Sequence, residues 1–288
     1  MLAPALRRQL RKFGIRALRS FHGSSKGNRR SLDRGVGIEF ADYRPYEIGD
    51  DLRDLDWNVY ARSDRLFLKQ FNPDKNLHVS ILVDNSRSMD FGDPTKLNVA
   101  KQIAAGLSSI ALANFDLIAI YVLSERLKKI LSFTSGDRNF HRVETALNSM
   151  VVGNTTNLNV NIRRFASLNR ERGFVFLISD FLDSSSYEDG LRYLVSRGFE
   201  VCVIHIISEE ELDPQFSGDL MLDDVETGQI KEITVTDKVL KSYKDRVASF
   251  CDQCARFCLS FGITYIRCHN QNTMDCFFLN DLRQAGVI

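Results

Sequence analysis

The sequence predicts an α/β domain built on a mostly parallel sheet flanked by helices. Three observations predict it. Of two apolar runs, NLHVSILVD at 76–84 ends on an acid, Asp84, and FVFLIS at 174–179 is followed at once by another, Asp180. A third run, Glu200–Ile207, is apolar and rich in β-branched residues. Segments of helical period alternate with these runs, as crossovers between parallel strands require.

Composition fits such a domain. The chain has 288 residues, 44% hydrophobic and 26% charged, enough for one large domain and an attachment. No stretch reaches the ~18 uninterrupted apolar residues of a membrane span. The basic N-terminus lacks the apolar core of a secretory signal, so the expected location is the cytoplasm. There the six cysteines should stay reduced. Net charge is +1 but uneven: residues 1–34 hold ten basic side chains against Asp33 alone, a net of +9, which leaves the rest at −8.

Three divisions follow: a basic helix and linker at 1–34, a distinctive segment at 35–76 expected to pack on the main domain, and that domain at 77–288. Over residues 3–19, Leu6, Leu10, Phe13 and Ala17 recur at helical spacing, with arginines mostly elsewhere on the wheel. Residues 20–31 have linker composition. Residues 35–76 mix aromatics and charges in short extended runs.

From residue 77 the elements come in order. Strand 76–84 precedes a helix over Lys96–Asn114, with Leu97, Ala100, Ile103, Ala104, Leu107, Ile110 and Ala111 on one face. Leu117–Leu123 and Leu127–Phe133 read as strands joined by a tight turn. Asp137–Met150 and Leu158–Asn169 read as helices, followed by strand 174–179, helix Tyr187–Ser196 and strand Glu200–Ile207. Residues 219–235 read as an inserted β-hairpin turning at Glu226–Gly228. A helix over Thr236–Phe261 with Thr236 as N-cap, a strand at Ile263–Cys268 and a short helix at Asp275–Ala285 close the chain.

In an open α/β sheet, ligands bind beyond the carboxyl ends of the strands. At that edge lies Asp84-Asn85-Ser86-Arg87-Ser88-Met89, a D-x-S-x-S sequence. Asp180 follows another strand, and between them lies the polar loop Gly153-Asn154-Thr155-Thr156-Asn157-Leu158. Alternate positions of an extended loop point one way, so Asp84, Ser86 and Ser88 can converge. Hydroxyls and carboxylates suit a hard dication such as Mg²⁺ or Mn²⁺. The plainer reading is two capping aspartates and a serine turn.

The ordered triple resembles the metal-ion-dependent adhesion site of von Willebrand factor A domains, a Rossmann-like fold. That resemblance implies metal ligands at Asp84, Ser86, Ser88, Thr156 and Asp180, with Thr155 competing for the fourth place. The stretch GVGIEFADYRPYEIGDDLRDLDWNVYARSDRLFLKQF resembles the signature of the bacterial family called domain of unknown function 58. It implies a von Willebrand A-like domain acting as a metal-dependent adaptor or chaperone-like partner of a MoxR-type AAA+ ATPase, with a partner carboxylate completing the metal shell.

An Mg²⁺-dependent hydrolase or phosphoryl-transfer enzyme is the alternative. Against it, the sequence has no Walker loop, nucleophile elbow or legible catalytic triad. The basic helix can contact a membrane surface, bind an acidic partner, or pack its leucines on the body; nucleic acid is disfavoured. Charges between Asp42 and Arg65 read as a mutual ion-pair network or as a docking surface. Trp57 is expected in the core, as are His78 and His205 or else at a sheet edge. Cys251, Cys254 and Cys258 mark the buried face of a helix rather than zinc ligands.

Overall fold

The computed structural model describes residues 2–16, 39–47, 50, 52, 55–72, 76–154, 156–183, 186–214, 218–223 and 230–288. The elements in chain order are α1 (Pro4–Leu10), β1 (Glu39–Pro45), α2 (Trp57–Ser63), β2 (Phe67–Asn72), β3 (His78–Asp84), α3 (Lys96–Ala113), β4 (Leu117–Leu123), β5 (Lys128–Thr134), α4 (Phe140–Asn148), α5 (Leu158–Leu168), β6 (Phe174–Ser179), α6 (Glu188–Ser196), β7 (Glu200–Ile207), α7 (Glu209–Leu212), β8 (Gly218–Asp223), β9 (Ile230–Val235), α8 (Asp237–Ser260) and β10 (Thr264–His269). The chain divides into two compact units, one of Met1–Gly23 with Leu77–Ile288 and one of Ser24–Asn76.

In the larger unit six strands form one sheet in the order β10-β7-β6-β3-β4-β5. Every pair is parallel except β4 with β5. Strand alternation sorts the central side chains to two faces. Val79, Ile81, Val83, Phe174, Phe176 and Ile178 join one core cluster, and Leu82, Val175 and Leu177 join the other. With both faces covered, β3 and β6 read as continuous apolar runs. The hairpin β8–β9 pairs Gly218 with Val235 through Asp223 with Ile230; its expected turn at 226–228 lies outside the described residues.

The helix α3 is buried along most of its length, between the sheet strands β3, β4 and β7 and the helices α1 and α4. Thr95 caps it by accepting from the Asn98 N–H at 3.3 Å. Gly106 lets the Phe278 ring lie against the helix, since a Cβ there would stand 2.2 Å from the ring. The closing segment is not the simple helix expected: a turn at Met274–Cys276 passes into a π-helix at Phe277–Leu282. That wide turn directs both Phe277 and Phe278 into the core. Along α8, capped by Thr236, only Cys251, Cys254 and Cys258 are buried. Their spacing marks the helix's inner stripe. Cys202 and Cys268 are buried as well, and Cys276 is exposed.

The N-terminal helix is shorter than its apolar period, ending at Leu10. Gly14 is a poor helix former, and the Asn114 amide takes the Phe13 carbonyl at 2.6 Å. Residues 17–19 lie outside the described part. Leu2, Leu6 and Leu10 are buried in the main core, Arg7 pairs with Asp137 at 2.8 Å, and the Arg7 guanidinium lies 3.8 Å from the Phe140 ring centre. Leu6 and Leu10 of the expected apolar stripe are therefore packed on the body.

The smaller unit holds an antiparallel pair, β1–β2, in register from Glu39 with Asn72 to Pro45 with Phe67 and with a bulge at Phe40–Asp42. Between the strands runs α2, where only extended structure was expected. It buries no residue, so it carries no apolar period to read. Its signal is Asp56, which caps it by accepting from the Asn58 and Val59 N–H groups and also accepts from the Tyr43 hydroxyl at 2.9 Å. Trp57 is 62% exposed, correcting the expectation of a core position: as the first residue of a one-sided short helix it stands outward against Tyr60. Arg44 pairs with Asp50 at 2.7 Å, one ion pair of the kind the mixed charges suggest.

Candidate functional site

The order of strands reverses between β3 and β6. From β3 the chain builds outward through β4 and β5, then crosses to β6 and builds the other way through β7 and β10. Side-by-side neighbours whose connections diverge leave a crevice at their carboxyl ends, which is where open α/β sheets bind ligands. Asp84 ends β3, and Ser179-Asp180 ends β6.

Asp84 is 1% exposed. One of its oxygens accepts from the Ser86 N–H at 2.9 Å, folding the loop back under the strand end. The other accepts from the Ser179 hydroxyl at 2.6 Å. Burial pushes the Asp84 carboxyl up to about 7, and the nearby Asp180 charge adds to that, against the pull of the Ser179 and Ser86 hydrogen bonds. The Ser86 and Ser88 hydroxyl oxygens lie 2.9 Å apart. A short 3₁₀ turn, Arg87–Asp90, holds Ser88 beside Ser86.

The second loop is fastened to the first. The Gly153 N–H donates to the Asn85 carbonyl at 2.7 Å, Arg87 N–H to the Asn154 carbonyl at 3.2 Å, and the Asn85 amide to the Val151 carbonyl at 2.9 Å. Gly153 permits this approach, because a Cβ would meet the Asn85 carbonyl at 3.3 Å. Thr156 sits at the same sheet edge, its hydroxyl 3.5 Å from the Ser124 carbonyl. The structure thus brings Asp84, Ser86 and Ser88 into one hydrogen-bonded group, with Thr156 on the adjoining loop. Thr155 lies outside the described residues.

Asp180 is 2% exposed and already engaged. One oxygen accepts from Leu182 N–H at 3.1 Å; the other accepts from the Lys96 ammonium at 2.7 Å. Lys96, wholly buried, also donates to Glu211 at 2.5 Å. Burial alone would lower its pKa, but these two carboxylates more than offset that and hold it raised. Below lies His205, whose Nδ1 meets the Tyr265 hydroxyl at 2.7 Å. Burial depresses it to about 4.

Lys96, Glu211 and Ser179 were not among the residues the sequence singled out. Each carried a trace. Lys96 opens an otherwise apolar helix face, at the end where the helix dipole disfavours a cation. Ser208 and Glu211 have capping-box spacing, and both bonds of that box form. Ser179 is the one polar residue of its strand, at the last position.

The donors suit a hard dication. Adjacent corners of an octahedron with bonds of ~2.05 Å lie ~2.9 Å apart, the spacing of the two serine hydroxyls. Among the described residues no group of three or more His, Cys, Asp or Glu side chains could hold a metal, so an ion here would depend on hydroxyl oxygens. Asp84 supplies a carboxylate close to its ionisation point. The three loops also carry exposed apolar side chains: Phe91 at 44%, Val151 at 73% and Leu182 at 48%.

The six-stranded, mostly parallel sheet, with D-x-S-x-S at its switch point, has the von Willebrand factor A-like fold. The family model described as "Protein of unknown function DUF58" matches residues 42–250, and the chain belongs to that family. A relative of similar sequence is uncharacterized protein Rv1480 of Mycobacterium tuberculosis, 27% identical over 237 residues, covering 81% of this chain and 74% of the relative. Among solved structures, conserved hypothetical protein BatB from Bacteroides thetaiotaomicron aligns with a TM-score of 0.46 at 14% identity, over 73% of this chain and all but 1% of that one (99% covered). A von Willebrand factor type A structure from Catenulispora acidiphila aligns with a TM-score of 0.38 at 15% identity, over 50% and 36% of the two chains. No helix among the described residues is long and apolar enough to cross a membrane.

Proposed function

We propose that the domain is a non-catalytic protein-binding module that grips its partner through a dication, Mg²⁺ or Mn²⁺. The observation that carries this reading is the pair of serine hydroxyls at octahedral-edge spacing beside the buried Asp84 carboxylate. Asp84, Ser86 and Ser88 would hold the ion, with Thr156 and Asp180 completing the protein's share. When bound, the ion offers a partner's carboxylate an electrophilic place to bind. The chain's own residues do the rest. Ser179 and the Ser86 N–H orient Asp84. The bonds between loops 85–88 and 151–154 fix the crevice. Phe91, Val151 and Leu182 present apolar surface around it, the composition of a contact patch with a polar centre.

An adhesion role fits the hydrogen bonding of the described polar side chains at the site. The two serine hydroxyls bond each other rather than a base, and His205 Nδ1 is taken by Tyr265. The partner class implied by the family resemblance is a MoxR-type AAA+ ATPase, with cytoplasmic location the matching expectation.

The test is affinity capture from a native lysate with Mn²⁺ or with chelator. The expected result is a partner retained with metal, released by chelator and not captured by Asp84→Ala. Capture by Asp84→Ala at wild-type strength would refute the assigned site.

A further inference from the structure

Lys96 is the anomaly of this site. It is the first residue of the 18-residue helix α3, where the peptide dipoles oppose a cation. It has no exposure to water, and an ammonium in that setting persists only if paired. Two carboxylates from separate elements meet it, Asp180 after β6 and Glu211 in α7. Glu211 is not free to follow the lysine, because its other oxygen accepts from the Ser208 N–H at 2.8 Å. The aromatic ring of Phe91 stands 6.0 Å from the ammonium.

We infer that the Lys96 ammonium is the resident counter-cation of the strand-end site: it neutralises Asp180 while no metal is bound, and shares Asp180 with the dication once one is. This rests on the metal-binding reading above. Asp84, Asp180 and Glu211 place three carboxylates around the crevice and its floor, and Lys96 offsets one of those charges permanently. Two consequences follow. The domain keeps its fold without metal, since its most buried charge pair is internal. A dication facing Asp84 and the serine hydroxyls would meet an Asp180 whose oxygens already accept from Leu182 N–H and Lys96, so it would bind weakly and keep more positive character for an incoming carboxylate. Lys96 acts through Asp180 and is therefore a positioning residue.

The test uses the full chain, freed of metal by chelator and titrated with Mn²⁺ alone, read by calorimetric binding and by thermal melting. For Lys96→Met the expected result is a lowered melting temperature in chelator, a larger recovery with Mn²⁺ than the wild type shows, and Mn²⁺ affinity raised about 10-fold by removal of a competing positive charge. Glu211→Gln keeps a capping-box side chain and leaves the ammonium wholly to Asp180. It should melt within a few degrees of wild type in chelator but bind Mn²⁺ several-fold more weakly.

A Lys96→Met protein that binds Mn²⁺ no more tightly than wild type, or whose lost stability Mn²⁺ does not restore, overturns the inference and leaves the metal site standing. Unchanged affinity in Glu211→Gln overturns it likewise. If Lys96→Met folds only in Mn²⁺, the inference is supported; if it folds in neither condition, it is overturned. Wild type that binds no Mn²⁺ at millimolar concentration refutes the metal site itself, and the inference with it.

Discussion

Asp84 sits where two demands oppose each other. A carboxylate at 1% exposure is penalised when ionised, yet a dication needs it ionised. Its pKa is raised from 3.8 to about 7, so between those values the folded state holds a proton that the unfolded state has released. Its contribution to stability is full below pH ~3.8 and is lost as pH rises through ~7. In chelator, the stability of wild type relative to Asp84→Asn should fall between pH 5 and pH 8, by on the order of 2 kcal/mol. Urea midpoints at the two pH values measure the difference; a flat difference would mean Asp84 is not buried in its charged form. His205, depressed to about 4, has the opposite sign, its contribution being lost as pH falls from ~6.5 towards 4, and it cancels in the comparison. At this scale the convergence of Asp84, Ser86 and Ser88 was legible because alternate positions of an extended loop point one way. Lys96 was not, because a lysine in a helix reads as surface until a tertiary contact, 84 residues away at Asp180, shows otherwise.

Among the elements, α3 bears the most constraint. Its cap, its buried stripe and its close approach to Phe278 are all fixed, and Gly106 is where the approach is tightest. Gly106→Ala improves helix propensity by ~1 kcal/mol but drives a methyl into the Phe278 ring. The second effect wins, with a net loss of about 1–3 kcal/mol. Phe278→Leu in the same chain should recover part of it, and a double-mutant cycle on thermal melts measures that coupling. Strictly additive losses would place the strain elsewhere. The inner strands and longer helices of the main unit were legible to within a residue or two because each buries a continuous run or stripe, while the edge strand β5 buries only Leu131 and Thr134 and was legible from its β-rich composition. Three elements were misread. Nothing in α2 is buried, and α1 stops at Leu10 although its apolar spacing runs on. The π-turn at Phe277–Leu282 has no local signature, since it exists to place two adjacent phenylalanines inward.

For the whole molecule, the alternation of strand and helix predicts the sheet but not its order. That β3 and β6 are neighbours, with Asp84 and Asp180 beside one crevice, depends on crossovers whose register appears only in three dimensions. Within the described part of the basic arm, packing rather than sequence shows one point of attachment: Arg7 is tied to Asp137 and Phe140 of the body.

The cysteines have a practical corollary. Burial pushes up the thiols of Cys254 to about 11 and of Cys258 and Cys268 to about 12, while Cys202 and Cys251 rise as well, so none is a ready nucleophile. An aromatic disulfide reagent added to the native protein should release one equivalent of chromophore at once, from Cys276, and five more only as the interior opens. The slow phase then times that opening without any engineered label. Added Mn²⁺ should lengthen it if the ion prefers the closed form. Two or more thiols reacting in the first phase would mean that the inner stripe of α8 or the strands beneath it admit solvent in the native state.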